Sequence, residues 1–125
     1  MNPLGPTAVV CEDDPVSRRV ASATLERCGY RVVAGVDTVM DATRAAQVFQ
    51  PDVMVLDLML PWVSGEFGIS FVREVAPRCT IIVCSAFDAR DALASGASFA
   101  VPKGSAEELE AVLWTLDHAK QGAGA

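Results

Sequence analysis

Val53-Met54-Val55-Leu56-Asp57-Leu58-Met59-Leu60-Pro61 sets an acid directly behind four apolar residues and closes on a proline. Four apolar residues in succession read as a short strand buried on both faces. A carboxylate at the end of such a strand is costly unless a partner meets it, so Asp57 calls for a cation or donor from elsewhere. Outward from this stretch the pattern recurs. Ala8 to Cys11, Arg31 to Ala34, Thr80 to Cys84 and Ser98 to Val101 are further candidate strands, separated by helix-like segments. Strands and helices alternating five times predict an α/β fold with a parallel sheet, because parallel neighbours need crossover connections.

The helical segments carry their own punctuation. Asp14 as a cap, Pro15 in the first turn and Gly29 as a stop bound the first helix, with Val20, Ala21, Thr24, Leu25 and Cys28 as its inward stripe. The second opens near Asp37, turns Ala42, Ala45, Ala46 and Phe49 toward the sheet, and cannot pass Pro51. The third follows Gly65 and uses Ile69 and Val72. The fourth, between Asp88 and Ser95, has room for only about two turns. Ser105 and Glu108 form a capping-box pattern before the last helix, whose stripe is Leu109, Val112, Leu113 and Leu116.

Composition removes several function classes. A net charge of -6 disfavours direct nucleic-acid binding, which relies on clustered Lys and Arg. No apolar run approaches the roughly 20 residues needed to cross a bilayer, and Met1 to Thr7 lacks the basic start and apolar stretch of a signal peptide, so a cytoplasmic location is expected. Cys11, Cys28, Cys79 and Cys84 show no C-x-x-C spacing and read as small buried hydrophobes. His118, near a helix end, reads as a surface residue, and Trp62 and Trp114 as packing or partner contacts.

The chemistry gathers where the apolar runs stop. The first ends at Glu12-Asp13, the third at Asp57, the fourth at Ser85, and the fifth shortly before Lys103. In an open parallel sheet all strand C-termini share one edge, and ligands bind in the crevice there. Three carboxylates crowded at that edge repel one another and predict a bound cation. All-oxygen ligands favour Mg²⁺, which takes one or two carboxylates together with phosphate oxygens. Attack on a phosphoryl group by Asp57, with Lys103 balancing charge and the Ser85 hydroxyl donating a hydrogen bond, fits each residue type.

Cys11-Glu12-Asp13-Asp14-Pro15, Val55 to Pro61, Gly65, Ser85-Ala86 and Lys103 together resemble the signature of the bacterial response-regulator receiver family, over essentially the whole chain. The resemblance implies a doubly wound, flavodoxin-like sheet of order 2-1-3-4-5 flanked by five helices. It implies one domain over residues 1–125, with flexible ends at about 1–6 and 121–125. Asp57 is then the phosphoacceptor. Asp13 and Asp57 bind Mg²⁺ directly, Glu12 reaches it through water, and the Met59 backbone carbonyl adds an oxygen. Lys103 pairs with the phosphoryl group. Ala86 leaves the site open to water or a phosphatase.

By the same resemblance the donor is a histidine kinase or a histidine phosphotransfer protein, the output is protein contact, and a homodimer is left open. A phosphorelay intermediate that passes the group onward is the alternative. An aspartyl phosphatase of the haloacid-dehalogenase type needs a second Asp where Met59 stands, so the chain is read as a regulatory domain rather than an enzyme. Three departures from the family pattern bear on output, and with them the chemistry is expected to be kept while signal transmission is altered. The stretch between Ser85 and Gly96 is about one helical turn short, which shrinks the fourth helix. Ala100 occupies the place of the usual switch aromatic, with Phe99 facing the other way on a strand. Pro102-Lys103-Gly104 has proline before the lysine rather than after it.

Overall fold

The computed structural model describes residues 5–58, 65–85 and 90–124, with side chains over 5–58, 68–85 and 92–117. The elements in chain order are β1 (Thr7–Cys11), α1 (Pro15–Arg27), β2 (Arg31–Val36), α2 (Val39–Phe49), β3 (Val53–Asp57), α3 (Gly65–Val75), β4 (Thr80–Ser85), α4 (Arg90–Ala94), β5 (Phe99–Pro102) and α5 (Ala106–Gly124). All pairings are parallel and the order is β2-β1-β3-β4-β5, as the resemblance implied. No described helix is long and apolar enough to cross a membrane.

Alternation along the strands divides the core in two. Val9, Cys11, Met54, Leu56, Ile81 and Val83 face one way, onto Ala42, Ala45 and Ala46 of α2 and Ile69 and Val72 of α3. Ala8, Val10, Val53, Val55 and Ile82 face the other, onto Leu25 of α1 and Leu109 and Leu113 of α5. Because both faces are covered, the central strands β1 and β3 are buried at every position. The edge strand β2 is only half-buried. Its register with β1 slips at Val33, since Ala8 pairs with Val32 but Val9 with Ala34. The extra residue turns Gly35 toward α1.

The caps are local. Asp14 accepts from the Ser17 N–H at 2.9 Å and the Ser17 hydroxyl at 2.7 Å, opening α1. At the other end Gly29 (φ +91) lets its N–H reach the Glu26 carbonyl and the Tyr30 N–H reach that of Leu25, a two-bond C-terminal closure. The Ser105 hydroxyl accepts from the Glu108 N–H at 3.3 Å before α5.

α2 opens near Asp37 as expected: it begins at Val39, capped by Thr38, whose hydroxyl accepts from the Asp41 N–H while its own backbone stays extended. Other expectations need correction. Val20 is exposed: the inward stripe of α1 is centred on Thr24 and Leu25, and Val20 lies at its flank. Phe49 is exposed because it is the last residue of α2, at the rim where Gln50 turns the chain. β5 is shifted by one residue, to Phe99–Pro102. α4 is shorter still than expected, five residues.

Candidate functional site

The C-terminal edge of the sheet brings together what the chain holds apart. β1, β3 and β4 are neighbours, so Glu12, Asp57 and Ser85 emerge side by side. Asp57 pairs with Cys84 across β3 and β4, and the Leu58 N–H continues to the Cys84 carbonyl at 3.2 Å. The Lys103 N–H donates to the Ser85 carbonyl at 2.9 Å, which anchors the loop after β5 to the end of β4. Gly104 then takes φ +84, a left-handed conformation that turns the chain into α5.

One carboxylate oxygen from each of Glu12, Asp13 and Asp57 lies within 4.8 Å of the others. Asp57 is 1% exposed and Glu12 6%, so water screens neither well, whereas Asp13 stands open to solvent. The Lys103 ammonium sits 3.1 Å from Asp57 Oδ2, a hydrogen-bonded ion pair, and 3.8 Å from Glu12 Oε1. Burial, reinforced by the charge of Asp57, pushes the Glu12 carboxyl up to about 7, although the Asp14 N–H donating to Glu12 Oε1 at 3.1 Å works against the rise. For Lys103, burial alone favours the neutral amine. The hydrogen bond to Asp57 and the charges of Asp57, Glu12 and Asp13 outweigh it, so its ammonium is held above the ordinary value.

This donor set suits a small hard cation: three oxygens of one sign crowd together beside one ammonium, and a divalent ion relieves their repulsion. The flanking thiols of Cys11 and Cys84 are each pushed up to about 12, by burial and then by the charge of Asp57, so they stay protonated at neutral pH. Cys11 and Cys79 are buried and Cys28 and Cys84 half-buried, all four as free thiols.

Of the residues expected at this site, Glu12, Asp13 and Asp57 converge within ligand distance of one another, and Lys103 lies within ion-pair distance of Asp57 and Glu12. Ser85 ends β4 and is buried. Met59, Ala86 and Trp62 lie outside the described residues, as does the His118 side chain. Ala100 is exposed, while Phe99 packs on the α1 and α5 side, opposite to the face that a switch aromatic at position 100 would occupy. Trp114 is exposed on α5.

Two features carried no signal in the sequence. Arg18 donates to the backbone carbonyl of Glu12 at 2.7 Å, a contact between residues six apart across a turn. A cavity of about 160 Å³ opens beside Asp57 and Lys103 and runs between α1 and α5, walled by Val16, Val20, Ala21 and Leu109. Its lining comes from many elements, and no spacing along the chain announces it.

Comparison with known proteins agrees with this geometry. The family model for the response regulator receiver domain matches residues 8–113. The chain is 26% identical over 115 residues to the chemotaxis protein CheY of Bacillus subtilis, covering 87% of this chain and 96% of that protein. Against the signal receiver domain of NarL from Mycobacterium tuberculosis the TM-score is 0.81 at 29% identity, covering 94% of this chain and 98% of that one. The receiver domain of the sensor histidine kinase PA1611 from Pseudomonas aeruginosa PAO1, solved with a magnesium ion coordinated in its active site cleft, gives 0.75 at 29% identity, covering 87% and 94%. Other relatives are longer, and the chain spans only 24%, 35% and 22% of the length of three of them. Since the match runs from β1 into α5, this chain belongs to the response regulator receiver domain family of two-component signalling.

Proposed function

We propose that Asp57 accepts a phosphoryl group from a histidine kinase or a histidine phosphotransfer protein, and that the resulting charge switches protein contacts. The observation that carries this reading is the trio of carboxylate oxygens within 4.8 Å of one another, with the Lys103 ammonium 3.1 Å from Asp57. The Asp57 carboxylate attacks phosphorus: a new O–P bond forms as the N–P bond to the donor histidine breaks, and the freed imidazole nitrogen keeps the electron pair. Lys103 stabilises the charge on the transferring oxygens, and the Ser85 hydroxyl donates to one of them. Glu12, Asp13 and Asp57, with the Met59 carbonyl, would hold Mg²⁺, which supplies charge neutralisation when bound. Ala86 carries only a methyl group, and in this reading the phosphorylated form turns over by hydrolysis.

The same reading takes residues 1–125 as one receiver unit in the cytoplasm, with protein partners rather than nucleic acid or membrane. A relay role, in which Asp57 passes its phosphoryl group onward to a histidine phosphotransfer protein, is the second reading. It is favoured by likeness to a receiver that belongs to a sensor kinase. Transfer from the labelled protein to isolated histidine-containing partners separates the two. The primary test is intact mass after incubation with Mg²⁺ and a small acyl phosphate or a phosphorylated kinase. Wild type gains one phosphoryl group and Asp57→Asn none; a gain in both, or in neither with every donor, overturns the assignment.

A further inference from the structure

We infer that Arg18 is a positioning residue for the acid pair at the end of β1, acting through the peptide that joins Glu12 to Asp13. This inference rests on the phosphoacceptor reading only for its consequence, not for its geometry. The β1–β2 ladder ends at the pair Cys11 and Val36, with one further bond from the Glu12 N–H to the Val36 carbonyl at 2.9 Å. The Glu12 carbonyl lies beyond that ladder, and Arg18 Nη1 donates to it at 2.7 Å. A peptide group is planar, so holding its oxygen fixes the orientation of the whole unit. The torsions on either side are ψ of Glu12 and φ of Asp13, and these set how the Asp13 side chain stands relative to Glu12 and hence to Asp57.

Arg18 is itself held at both ends. Its backbone N–H donates to the Asp14 carbonyl at 2.9 Å in the first turn of α1. Its aliphatic stem crosses β2 at Gly35, where an added Cβ would lie 3.4 Å from Cδ and 3.7 Å from Cγ. The register slip at Val33 turns Gly35, rather than a side-chain-bearing residue, toward α1 at this level. Gly35 is therefore the seat of the arginine stem. It is not among the glycines with positive φ, and a Cβ alone would meet the stem at ordinary van der Waals distance, so only a bulkier side chain would press on the arginine.

Two variants separate positioning from general stability. Arg18→Met keeps a stem over Gly35 but loses the donor. Gly35→Val keeps the Arg18 side chain but puts methyl groups into its seat, while a β-branched residue suits a strand better than glycine, which offsets the lost contact and lets the fold persist. Both variants are expected to bind Mg²⁺ roughly tenfold more weakly by calorimetry, the usual scale for losing a group that orients metal ligands. The phosphorylation rate at saturating Mg²⁺ should be unchanged, with only the half-saturating Mg²⁺ concentration displaced. In the metal-free protein, exchange of the Asp13 and Asp14 amide protons should quicken in both variants, while exchange in the core of β3 does not.

Wild-type Mg²⁺ affinity and wild-type amide exchange in Gly35→Val would overturn the inference, even if Arg18→Met failed to fold. If wild type itself binds no Mg²⁺, the phosphoacceptor reading falls. The metal-free exchange result then decides the Arg18 clamp by itself: faster exchange at 13 and 14 upholds it, and unchanged exchange removes it.

Discussion

Asp57 is buried to 1% exposure, and the amine that meets it comes from Lys103, 46 positions further along the chain. Replacing Lys103 by Met leaves a buried carboxylate without that partner and next to Glu12. Metal-free stability should fall by about 1–3 kcal/mol in urea titrations. Phosphorylation should slow by roughly a hundredfold, since charge on the transferring oxygens loses its counterion. Unchanged kinetics would show that Lys103 is only a structural counterion. Burial also sets the alkaline limit. It pushes the Cys79 thiol from 9.0 up to about 12 and, with the charges of Asp117 and Asp52, the Tyr30 phenol from 10.0 up to about 12. Between pH 9 and 12 the folded protein therefore holds protons that the unfolded chain has released, so stability falls as pH rises through that window and is indifferent to these groups below it. Urea midpoints from pH 8 to 11 test this: Cys79→Ala should flatten the slope above pH 9, and an equal slope in both proteins would refute the cause. The acids and the lysine were legible in the sequence because each follows an apolar run. Arg18 was not, since a helix arginine that bonds a carbonyl six residues back looks like any exposed arginine.

Caps, proline stops and glycine turns made most helix limits readable, because each depends on two to four neighbouring residues. What escaped was how far each helix faces inward. Val20 and Phe49 sit on or near apolar stripes yet remain exposed, one at the flank of its stripe and the other at the last residue of its helix. Arg73 shows what local reading misses. From α3 its guanidinium donates to the carbonyls of Pro77 at 3.1 Å and Cys79 at 2.6 Å, and to that of Gly96 at 2.9 Å. One side chain thus ties the α3–β4 turn to the approach to β5. Arg73→Met should cost about 1–3 kcal/mol and speed amide exchange around residues 79 and 96–98 while leaving α1 unchanged. Output belongs to this scale too. With a five-residue α4 and an exposed Ala100, no aromatic at position 100 is available to follow the phosphate. Amide shifts on phosphorylation should stay near the acid cluster and the loop at Lys103; shifts spreading through residues 90–102 would show that the signal travels through α4 and β5 without an aromatic at position 100.

Across the whole molecule, function depends on both faces of the sheet being closed. The helices bury β1 and β3 completely, and that rigid centre holds Glu12 and Asp57 close despite their repulsion. A divalent ion that binds only this arrangement must stabilise the fold by mass action, about 2.7 kcal/mol at a hundredfold excess over its Kd. Thermal melts should therefore rise with Mg²⁺ in wild type and much less in Asp13→Asn or Asp57→Asn. An equal rise in all three would place the ion elsewhere.

The chain's own residues determined the five strands and five helices to within a few positions, the acids at strand ends, and the hard-oxygen chemistry they offer. These follow from short-range periodicity and from side-chain identity. Strand order came from resemblance rather than from any local pattern. Only the tertiary structure decided that one oxygen from each of three acids falls within 4.8 Å, that Lys103 closes to 3.1 Å, and that Arg18 reaches the Glu12 carbonyl. Such distances are sums over register, strand adjacency and packing between segments remote in sequence, and no window of neighbouring residues contains them.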